Sequence, residues 1–507
     1  MVAAGILASR ISGLVRTMIF SYFFGLRSDA ADAFNAAFRI PNLLQNLFGE
    51  GALSGSFIPV HAGLRAQGRD RDAAQVARTA FALLMLAMSV LVLAGVLAAP
   101  LLLGAVAPGF TGAKRELAER LIRILFPGAG LLVAAAWCLG VLNSHGRFLL
   151  SYASGIAWNA GMIAALLLFG PGSPLEHLAV MLAWGSVAGS FLQFAVQAPT
   201  AFGLTRGGGP IALTEPVRRA IRDFFPVLVS RGAAQLSAYI DVLIASYLPT
   251  GAVTGLQNAQ LIYTLPVSLF GMSVSAAELP ALSGDAARSD PAALRARIDS
   301  GLARLAFFVV PSAIAFAALG DVVAATLLQR GRFNPEDSRI VWGILAGSAV
   351  GLVASTQSRL YSVAHYAMGD TKTPLGYALI RLVAVTGLGL VAALVLPQRF
   401  GIAPIWGAAG LTASAGISGW IEFVLLRRSV SRRIGRTGLP ASDAVKLWTA
   451  AIVAAGIAWI VKLAIPWTNP LVRGALVLPA FGLAYLACGA ALGIDAARRV
   501  VRVVSAR

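Results

Sequence analysis

Several charged side chains stand inside stretches of the chain that are otherwise apolar. A charge in such a stretch is costly, so it usually faces a partner or a cavity where it binds an ion or a polar ligand. Arginine suits phosphate in particular, because its guanidinium stays charged and offers paired N–H donors. The candidate residues are Arg10, Arg16, Asp32, Arg39, Glu50, Arg231, Asp241, Glu278, Arg359 and His365.

Arg10 and Arg16 allow two interpretations. In the first, they pair with a carboxylate of a neighbouring helix, for which Asp32 and Glu50 are the candidates. In the second, they line a cationic cavity that receives an anionic headgroup. The sequence leaves both interpretations open.

Asp241 either pairs with Arg231 or forms a cation site. Ten residues separate the two, which is about 15 Å along a helix and argues against direct contact. A cation bound near Asp241 could couple to transport, so we predict this residue as an ion-coupling candidate. His365 is more typical of a satisfied interior histidine than of a proton switch.

The motifs of enzymes and nucleotide-driven motors are absent from the sequence. No GxxxxGK[ST] loop is present, and the four histidines show no metal-ligand spacing. Nothing indicates an enzyme, a metal or another cofactor. Without a nucleotide-binding loop, the energy sources that remain for a transport function are the membrane potential and a monovalent cation.

The composition is that of a membrane protein. Charged residues make up 12% of the chain, about half of the roughly 25% found in soluble domains. The hydrophobic fraction is 58% and the mean hydropathy is +0.77. The net charge of +19 fits basic cytoplasmic loops better than nucleic-acid binding, since Lys and Arg collect in such loops.

Charge clusters and Pro/Gly turns divide the chain into about fourteen predicted transmembrane helices, so the expected fold is all-α and polytopic. The predicted spans are 2–24, 33–60, 79–107, 121–144, 148–169, 177–203, 223–248, 253–282, 303–328, 339–367, 374–396, 402–426, 444–465 and 471–494.

Basic residues alternate between successive loops, which places both termini in the cytoplasm. The loops at Lys114–Arg115 and Arg330–Arg332 are exceptions to this pattern. Three further charges lie near predicted helix ends, where snorkelling to the interface explains them. They are Arg381, Glu422 and Lys462.

An internal repeat relates two halves of the chain. Ser9-Arg10 matches Ser230-Arg231 at an offset of 221 residues, and Leu47-Phe48-Gly49 matches Leu269-Phe270-Gly271 at 222. Ala77–Phe81 matches Ala303–Phe307 at 226. Such an offset covers six helices and predicts a parallel repeat of two six-helix lobes, plus two extra C-terminal helices. The predicted parts are an N-terminal lobe at 1–205, a linker at 206–222, a C-terminal lobe at 223–428, and the last two helices with a basic tail at 429–507.

Glycine and proline breaks occur at matching positions in the two halves. The second predicted helix contains the sequence Gly49-Glu50-Gly51, and the eighth contains Pro266 and Gly271. Such breaks are what a gated central cavity requires. Close helix packing through small residues is the alternative at any single position.

Motifs along nearly the whole chain resemble the MurJ/MviN family. They are Ala8–Arg16, Phe24-Gly25, Asp32-Ala33-Phe34, Phe38–Leu44, Glu50–Ser54, Phe57-Ile58-Pro59, Leu142-Asn143, Arg147-Phe148, Arg330–Phe333 and Asp370–Pro374. The resemblance implies the fold of a superfamily that includes multidrug extruders and polysaccharide flippases. It also implies a groove for a lipid tail, made with helices thirteen and fourteen.

Site residues carry over from this resemblance one by one. The family's cavity arginines of helix one correspond to Arg10 and Arg16, its acidic residue at the start of helix two to Asp32, and its basic residue of helix ten to Arg359. Two usual arginines are replaced, one by Gln45 and one within Gln260-Leu261-Ile262. The predicted substrate-binding set is Arg10, Arg16, Asp32, Arg39, Glu50, Arg231 and Arg359.

The resemblance implies that the protein flips lipid II, the undecaprenyl-pyrophosphate-linked peptidoglycan precursor, across the bacterial inner membrane. The expected partners are this glycolipid, membrane lipids and the cell-wall synthesis machinery, with no nucleic acid. One alternative is a cation-coupled exporter of another lipid-linked oligosaccharide or of drugs. Another is a non-transporting scaffold of cell-wall synthesis.

Overall fold

A computed structural model describes residues 2–48, 52–288, 290–465 and 469–505. Within these ranges the chain is helical, with no strand. The side chains at 2–7, 52, 54, 151–152, 229–238, 273, 276–277, 279–280, 286–287, 501 and 503–505 lie outside the description.

The described residues form twenty α-helices. The first ten are α1 (Val2–Phe24), α2 (Asp29–Asn46), α3 (Ala52–Ala66), α4 (Asp70–Leu97), α5 (Ala99–Val106), α6 (Gly112–Ser144), α7 (Phe148–Ala153), α8 (Gly155–Phe169), α9 (Leu175–Leu204) and α10 (Glu215–Ala245). The others are α11 (Ala252–Pro266), α12 (Ser273–Ala287), α13 (Pro291–Leu328), α14 (Pro335–Ala367), α15 (Lys372–Leu390), α16 (Leu396–Arg399), α17 (Gly407–Ile434), α18 (Ala441–Ala464), α19 (Pro470–Ala491) and α20 (Asp495–Ser505).

Every predicted span coincides with one of these helices or with a consecutive pair. Within the described residues, ten helical segments are long and apolar enough to cross a membrane. The other four predicted spans correspond to α1, α2–α3, α10 and α11–α12. The all-α, polytopic fold class is therefore confirmed, whereas the count of fourteen crossings stays a prediction.

The helices gather into two compact units, Met1–Thr254 and Gly255–Arg507. α10 packs on α3 and α5 in the first unit, although the repeat assigns its residues to the second lobe. The predicted lobe boundaries at 205, 223 and 428 therefore remain a prediction.

The core of the first unit forms around α6, which packs on α9, α2 and α4. Trp137 on this helix is fully buried and donates its indole N–H to the Ala77 carbonyl at 3.0 Å. The rings of Phe81 and Phe202 lie 4.6 and 5.3 Å from the Trp137 ring. A buried indole is stable here because its one polar atom has a partner.

In the second unit, α14 packs between α13 and α17, and α18 and α19 pack on α13. The Tyr485 hydroxyl of α19 donates to the Phe307 carbonyl of α13 at 2.7 Å. This bond ties α19 to α13.

Both repeats leave the α-helical hydrogen-bond pattern at equivalent positions. In the first unit the backbone becomes π-helical at Leu47-Phe48, and in the second it is π-helical over Val267–Met272. The second segment contains Leu269-Phe270, the counterpart of Leu47-Phe48 in the repeat. π-Helical turns are frequent at functional sites, and their recurrence here supports the internal repeat. The predicted break at Gly49-Glu50-Gly51 lies outside the described residues.

Snorkelling is the wrong explanation for the three charges near helix ends. Lys462 is buried, donates to the Asp321 carboxylate at 2.6 Å and lies 4.3 Å from the Trp459 ring. Arg381 donates to Glu422 at 3.0 Å. In each case a carboxylate on a neighbouring helix satisfies the cation within the protein, so the side chain does not need to reach the interface.

Glycine allows α17 and α14 to approach closely in the second unit, and this contact gives a stability prediction. A Cβ at Gly416 of α17 would lie 2.7 Å from the Gly351 backbone nitrogen of α14. We expect Gly416→Ala to destabilise the protein by about 1–3 kcal/mol, because the backbones must separate. The measurement is the melting temperature in detergent.

Gly419→Ala is the matched control on the same helix, since nothing lies within 4 Å of its added Cβ. We expect this control to leave the melting temperature unchanged or to raise it. Equal effects of the two variants would contradict close packing at Gly416.

Candidate functional site

Arg16 of α1 lies against two aromatic rings from different helices. The rings of Phe38 on α2 and Trp158 on α8 stack at 5.7 Å, with 10° between their planes. The guanidinium carbon of Arg16 is 5.8 Å from the Phe38 centroid and 5.5 Å from the Trp158 centroid. Cation–π attraction therefore holds the charge in place. We call Arg16, Phe38 and Trp158 the aromatic box.

Hydrogen bonds fix the helices that form the aromatic box. The Asn159 amide donates to the Ser12 hydroxyl at 2.8 Å, which joins α8 to α1. The Trp158 indole N–H donates to the Ser186 hydroxyl at 3.2 Å, which joins α8 to α9. A Cβ at Gly155 would meet the Ser9 hydroxyl at 2.6 Å, so glycine is what permits the close approach of α8 and α1.

The aromatic box leaves the Arg16 charge without a neutralising carboxylate. Its one hydrogen bond in the described part of the chain runs from Nη1 to the Met162 sulfur at 3.5 Å, which is a weak acceptor. Pairing of Arg16 with Asp32 is therefore wrong, and pairing with Glu50 falls on a residue outside the description. A guanidinium held by its faces keeps N–H donors at its edge for a ligand oxygen.

Arg10 lies on the same helix as Arg16, and Arg39 follows Phe38 of the aromatic box on α2. Arg10 is exposed and stands six residues before Arg16 on the same helix, about 9 Å away along the axis. The Arg39 carbonyl accepts the Tyr239 hydroxyl of α10 at 2.8 Å. The carboxylate of Asp241 interacts electrostatically with Arg39. The sequence analysis considered only Arg231 as a partner for Asp241.

Asp32 at the start of α2 is only 1% exposed and accepts four hydrogen bonds. Its donors are the Gly251 N–H at 2.9 Å, the Thr254 N–H at 2.9 Å, the Thr254 hydroxyl at 2.7 Å and the Lys114 ammonium at 2.9 Å. The carboxylate thus ties α2 to the start of α6 and to the turn between α10 and α11. We call these four residues the Asp32 cluster.

The periphery of the Asp32 cluster is also charged. Asp29 lies 3.3 Å from Lys114 and accepts the Thr250 hydroxyl at 2.7 Å. The hydrogen bond from Thr250, with the charge of Lys114, lowers the pKa of Asp29 despite some desolvation. Asp29 is therefore ionised beside the Lys114 ammonium group.

The Asp32 cluster acts as a clasp between helices in this structure. Because its oxygens are already occupied, Asp32 has no room for a headgroup in this arrangement. Its predicted role in substrate binding stays a prediction. Lys114 is the residue that the sequence analysis missed, although its exceptional position in the loop charge pattern was a signal for it.

Glu278 in the second unit has structural partners. Its carboxylate pairs with Arg304 and lies 3.9 Å from Arg297, and Arg297 donates to Asp285 at 2.6 Å. This network joins α12 to the first turns of α13, which accounts for a charge inside an apolar stretch.

His365 at the end of α14 is fully buried, and its Nδ1 lies 3.3 Å from Asp370. Asp370 accepts the Thr373 N–H at 3.0 Å and pairs with Arg433. The bond from Thr373, with the Arg433 guanidinium, holds the pKa of Asp370 well below its usual range. Asp370 therefore remains a carboxylate that orders the loop beneath His365.

For the other predicted site residues, a role in substrate binding stays a prediction. Arg359 is exposed on α14 of the second unit. Glu50 and the Arg231 side chain lie outside the description. The two positions that lack the usual arginine are a half-buried Gln45 on α2 and a half-buried Leu261 on α11.

The many apolar helices in two units define a polytopic membrane protein. A family model described as Lipid II flippase MurJ matches residues 20–481. The chain therefore belongs to the MurJ family. It is a multi-pass protein of the inner membrane.

The chain is similar over most of its length to several proteins of this family. It is 33% identical to a Lipid II flippase MurJ of Burkholderia cenocepacia, covering 93% of this chain and 92% of the relative. A Probable lipid II flippase MurJ of Bdellovibrio bacteriovorus is 31% identical, covering 84% of this chain and 80% of the relative.

Solved structures share the fold. One described as Lipid II flippase MurJ, inward closed conformation, has a TM-score of 0.77 at 23% identity and covers 97% of this chain and 99% of its own. A multidrug resistance MATE family transporter of the MOP superfamily, in an inward-facing conformation, has a TM-score of 0.68 at 16% identity. It covers 84% of this chain and 95% of its own. At these identities the likeness concerns the fold alone.

The Asp32 cluster gives a second stability prediction. Lys114→Met leaves a buried carboxylate without its cation, and we expect a loss of about 3 kcal/mol in the free energy of unfolding. We also expect faster hydrogen exchange at the Gly251 and Thr254 amides, which donate to Asp32. Melting temperature and hydrogen–deuterium exchange measure the two effects.

Two variants serve as controls for this prediction. Adding Asp32→Asn to Lys114→Met removes the unpaired charge and should recover part of the stability. Lys446→Met changes a half-exposed lysine and should have little effect. Unchanged exchange at Gly251 and Thr254 in Lys114→Met would rule out the clasp.

Proposed function

We propose that this protein flips lipid II from the inner to the outer leaflet of the inner membrane, and so supplies peptidoglycan synthesis. The two units would alternate between states that open to either side, as in other transporters built from two repeats. Membership of the MurJ family and the inward-closed relative of the same fold support this proposal.

The observation that carries the proposal is Arg16 in the aromatic box. The headgroup of lipid II carries a pyrophosphate, which needs cationic donors inside the membrane region. Arg16 supplies such donors, and its aromatic neighbours orient the guanidinium without cancelling its charge. Arg10, exposed on the same helix, would provide a second cation for the other phosphate.

The Asp32 cluster would act as a gate. It lies at the ends of the helices opposite to the ends that carry most basic loops. We infer that both termini are cytoplasmic, which places the starts of α2 and α6 at the outer side. Asp32 and Lys114 would then close the outer side while the headgroup enters from the cytoplasm. Opening outward requires these hydrogen bonds to break.

The energy for transport would come from the membrane potential or from a monovalent cation. An inside-negative potential favours moving an anion outward by about 2.3 kcal/mol per charge per 100 mV. Asp241, which interacts electrostatically with Arg39, remains the proposed position for a coupling cation. The cell-wall synthesis machinery is the proposed protein partner.

Loss of both helix-one arginines tests this function. In cells depleted of their own lipid II flippase, we expect wild type to restore growth and Arg10→Ala/Arg16→Ala to fail at matched expression, because the pyrophosphate loses its cations. Arg222→Ala, which removes an exposed arginine from α10, should rescue like wild type. Rescue by the double variant would support a scaffold or a headgroup site elsewhere.

Removal of the Trp158 ring tests whether the aromatic box positions Arg16. We expect Trp158→Ala to weaken binding of undecaprenyl pyrophosphate between about two- and thirtyfold, since one cation–π contact contributes about 0.5–2 kcal/mol. Trp158→Phe should retain most of the affinity. Titration of the purified protein in nanodiscs measures the dissociation constant.

Trp184→Ala is the matched control, because this tryptophan is exposed on α9. It should bind as wild type does. If Trp158→Ala and Trp184→Ala bound equally well, the aromatic box would have no part in headgroup recognition.

A further inference from the structure

A cationic cavity lies in the first unit, on helices other than those of the aromatic box. Its volume is about 410 Å³, and it opens where α3, α6 and α9 end and α4 begins. The predicted topology places this end in the cytoplasm. The charged and titratable residues that line it are His61, Arg65, Asp70, Arg71, His145 and Arg206. We call it the His61 cavity.

Positive charge exceeds negative charge in the His61 cavity. Three guanidinium groups face one carboxylate, that of Asp70, which is largely exposed. Arg65 donates through Nη1 to the Ser144 carbonyl. Its Nε lies 3.6 Å from Asp70, which is too far for a hydrogen bond. Arg71 and Arg206 are exposed at the rim.

His61 leaves a buried polar atom unsatisfied at this cavity. The residue is 1% exposed, and its Nδ1 has no hydrogen-bond partner among the described residues. Such an atom costs free energy unless a ligand or water reaches it. The His145 ring lies 5.5 Å from the His61 ring and donates its Nδ1–H to the Val141 carbonyl at 2.8 Å.

The electrostatics of the cavity disfavour further positive charge. Burial, followed by repulsion from His145 and Arg65, lowers the pKa of His61 to about 4. Burial also lowers the pKa of His145, and Arg65 and Arg147 add to that effect. Both imidazoles are therefore neutral at pH 7, and a bound anion would offset the surrounding cations.

A metal ion does not fit the same residues. Within the described ranges, no group of three His, Cys, Asp or Glu side chains could hold one. The arginines would also repel a cation. An oxyanion, in contrast, can accept from several guanidinium N–H groups at once.

We propose that the His61 cavity binds a phosphate group from the cytoplasmic side. Arg71 and Arg206 provide the outer donors, and His61 lines the inner part of the cavity. The phosphate belongs either to a soluble phosphate compound or to the headgroup of an anionic phospholipid. This site is independent of the proposed transport function, because it shares no residue with the aromatic box.

Inorganic phosphate is the probe for this site. The full-length protein is placed in phosphatidylcholine nanodiscs, and broadening of the phosphorus-31 resonance is followed against a chloride control of equal ionic strength. We expect saturable binding that weakens about tenfold in Arg71→Gln and in Arg206→Gln, as the loss of a charged hydrogen bond predicts. Arg222→Gln should bind as wild type does.

Nanodiscs that contain phosphatidylglycerol distinguish the two sources of phosphate. A fall in the apparent affinity for inorganic phosphate means that the lipid headgroup occupies the site. Unchanged affinity means that the ligand is soluble. Absence of saturable binding, or equal binding by wild type, Arg71→Gln and Arg206→Gln, overturns the proposal. Because both arginines are exposed, these variants should fold, which their melting temperatures check.

Discussion

The structure depends above all on the cost of placing a charge among apolar helices. Most interior charges meet that cost by pairing within the protein, as Asp32 does with Lys114 and Lys462 with Asp321. Arg16 is different, because two aromatic rings and a thioether contact its guanidinium and no carboxylate does so in the described chain. A charge that is held but not neutralised is suited to an anionic substrate.

The repeated architecture explains how such a charge can serve transport. Equivalent π-helical segments at Leu47-Phe48 and Val267–Met272 interrupt both halves, and each provides a place where a helix can bend. The Asp32 cluster binds three elements of the first unit through one carboxylate. A small number of hydrogen bonds therefore holds these elements together at that end of the unit.

The sequence predicted the helices well, because hydrophobic segments of membrane length leave few alternatives. It also predicted Arg16 as a site residue, since an arginine in such a segment is rare, and that role stays a prediction. It could not identify Trp158 or Phe38 as neighbours of Arg16, because contacts between α1, α2 and α8 depend on helix packing. The snorkelling explanation for Lys462 was wrong for the same reason, because its contact with Asp321 also depends on helix packing. Arg330, an exception to the loop charges, donates to the Leu327 and Thr326 carbonyls and caps α13.

The most direct test of the central claim is lipid II flipping by purified protein in proteoliposomes with an imposed membrane potential. Fluorescent lipid II in the inner or outer leaflet reports the rate, and Arg16→Gln is compared with wild type at equal reconstitution. We expect potential-dependent flipping by wild type and a flipping rate at least tenfold lower in Arg16→Gln. Equal rates for the two proteins would contradict it.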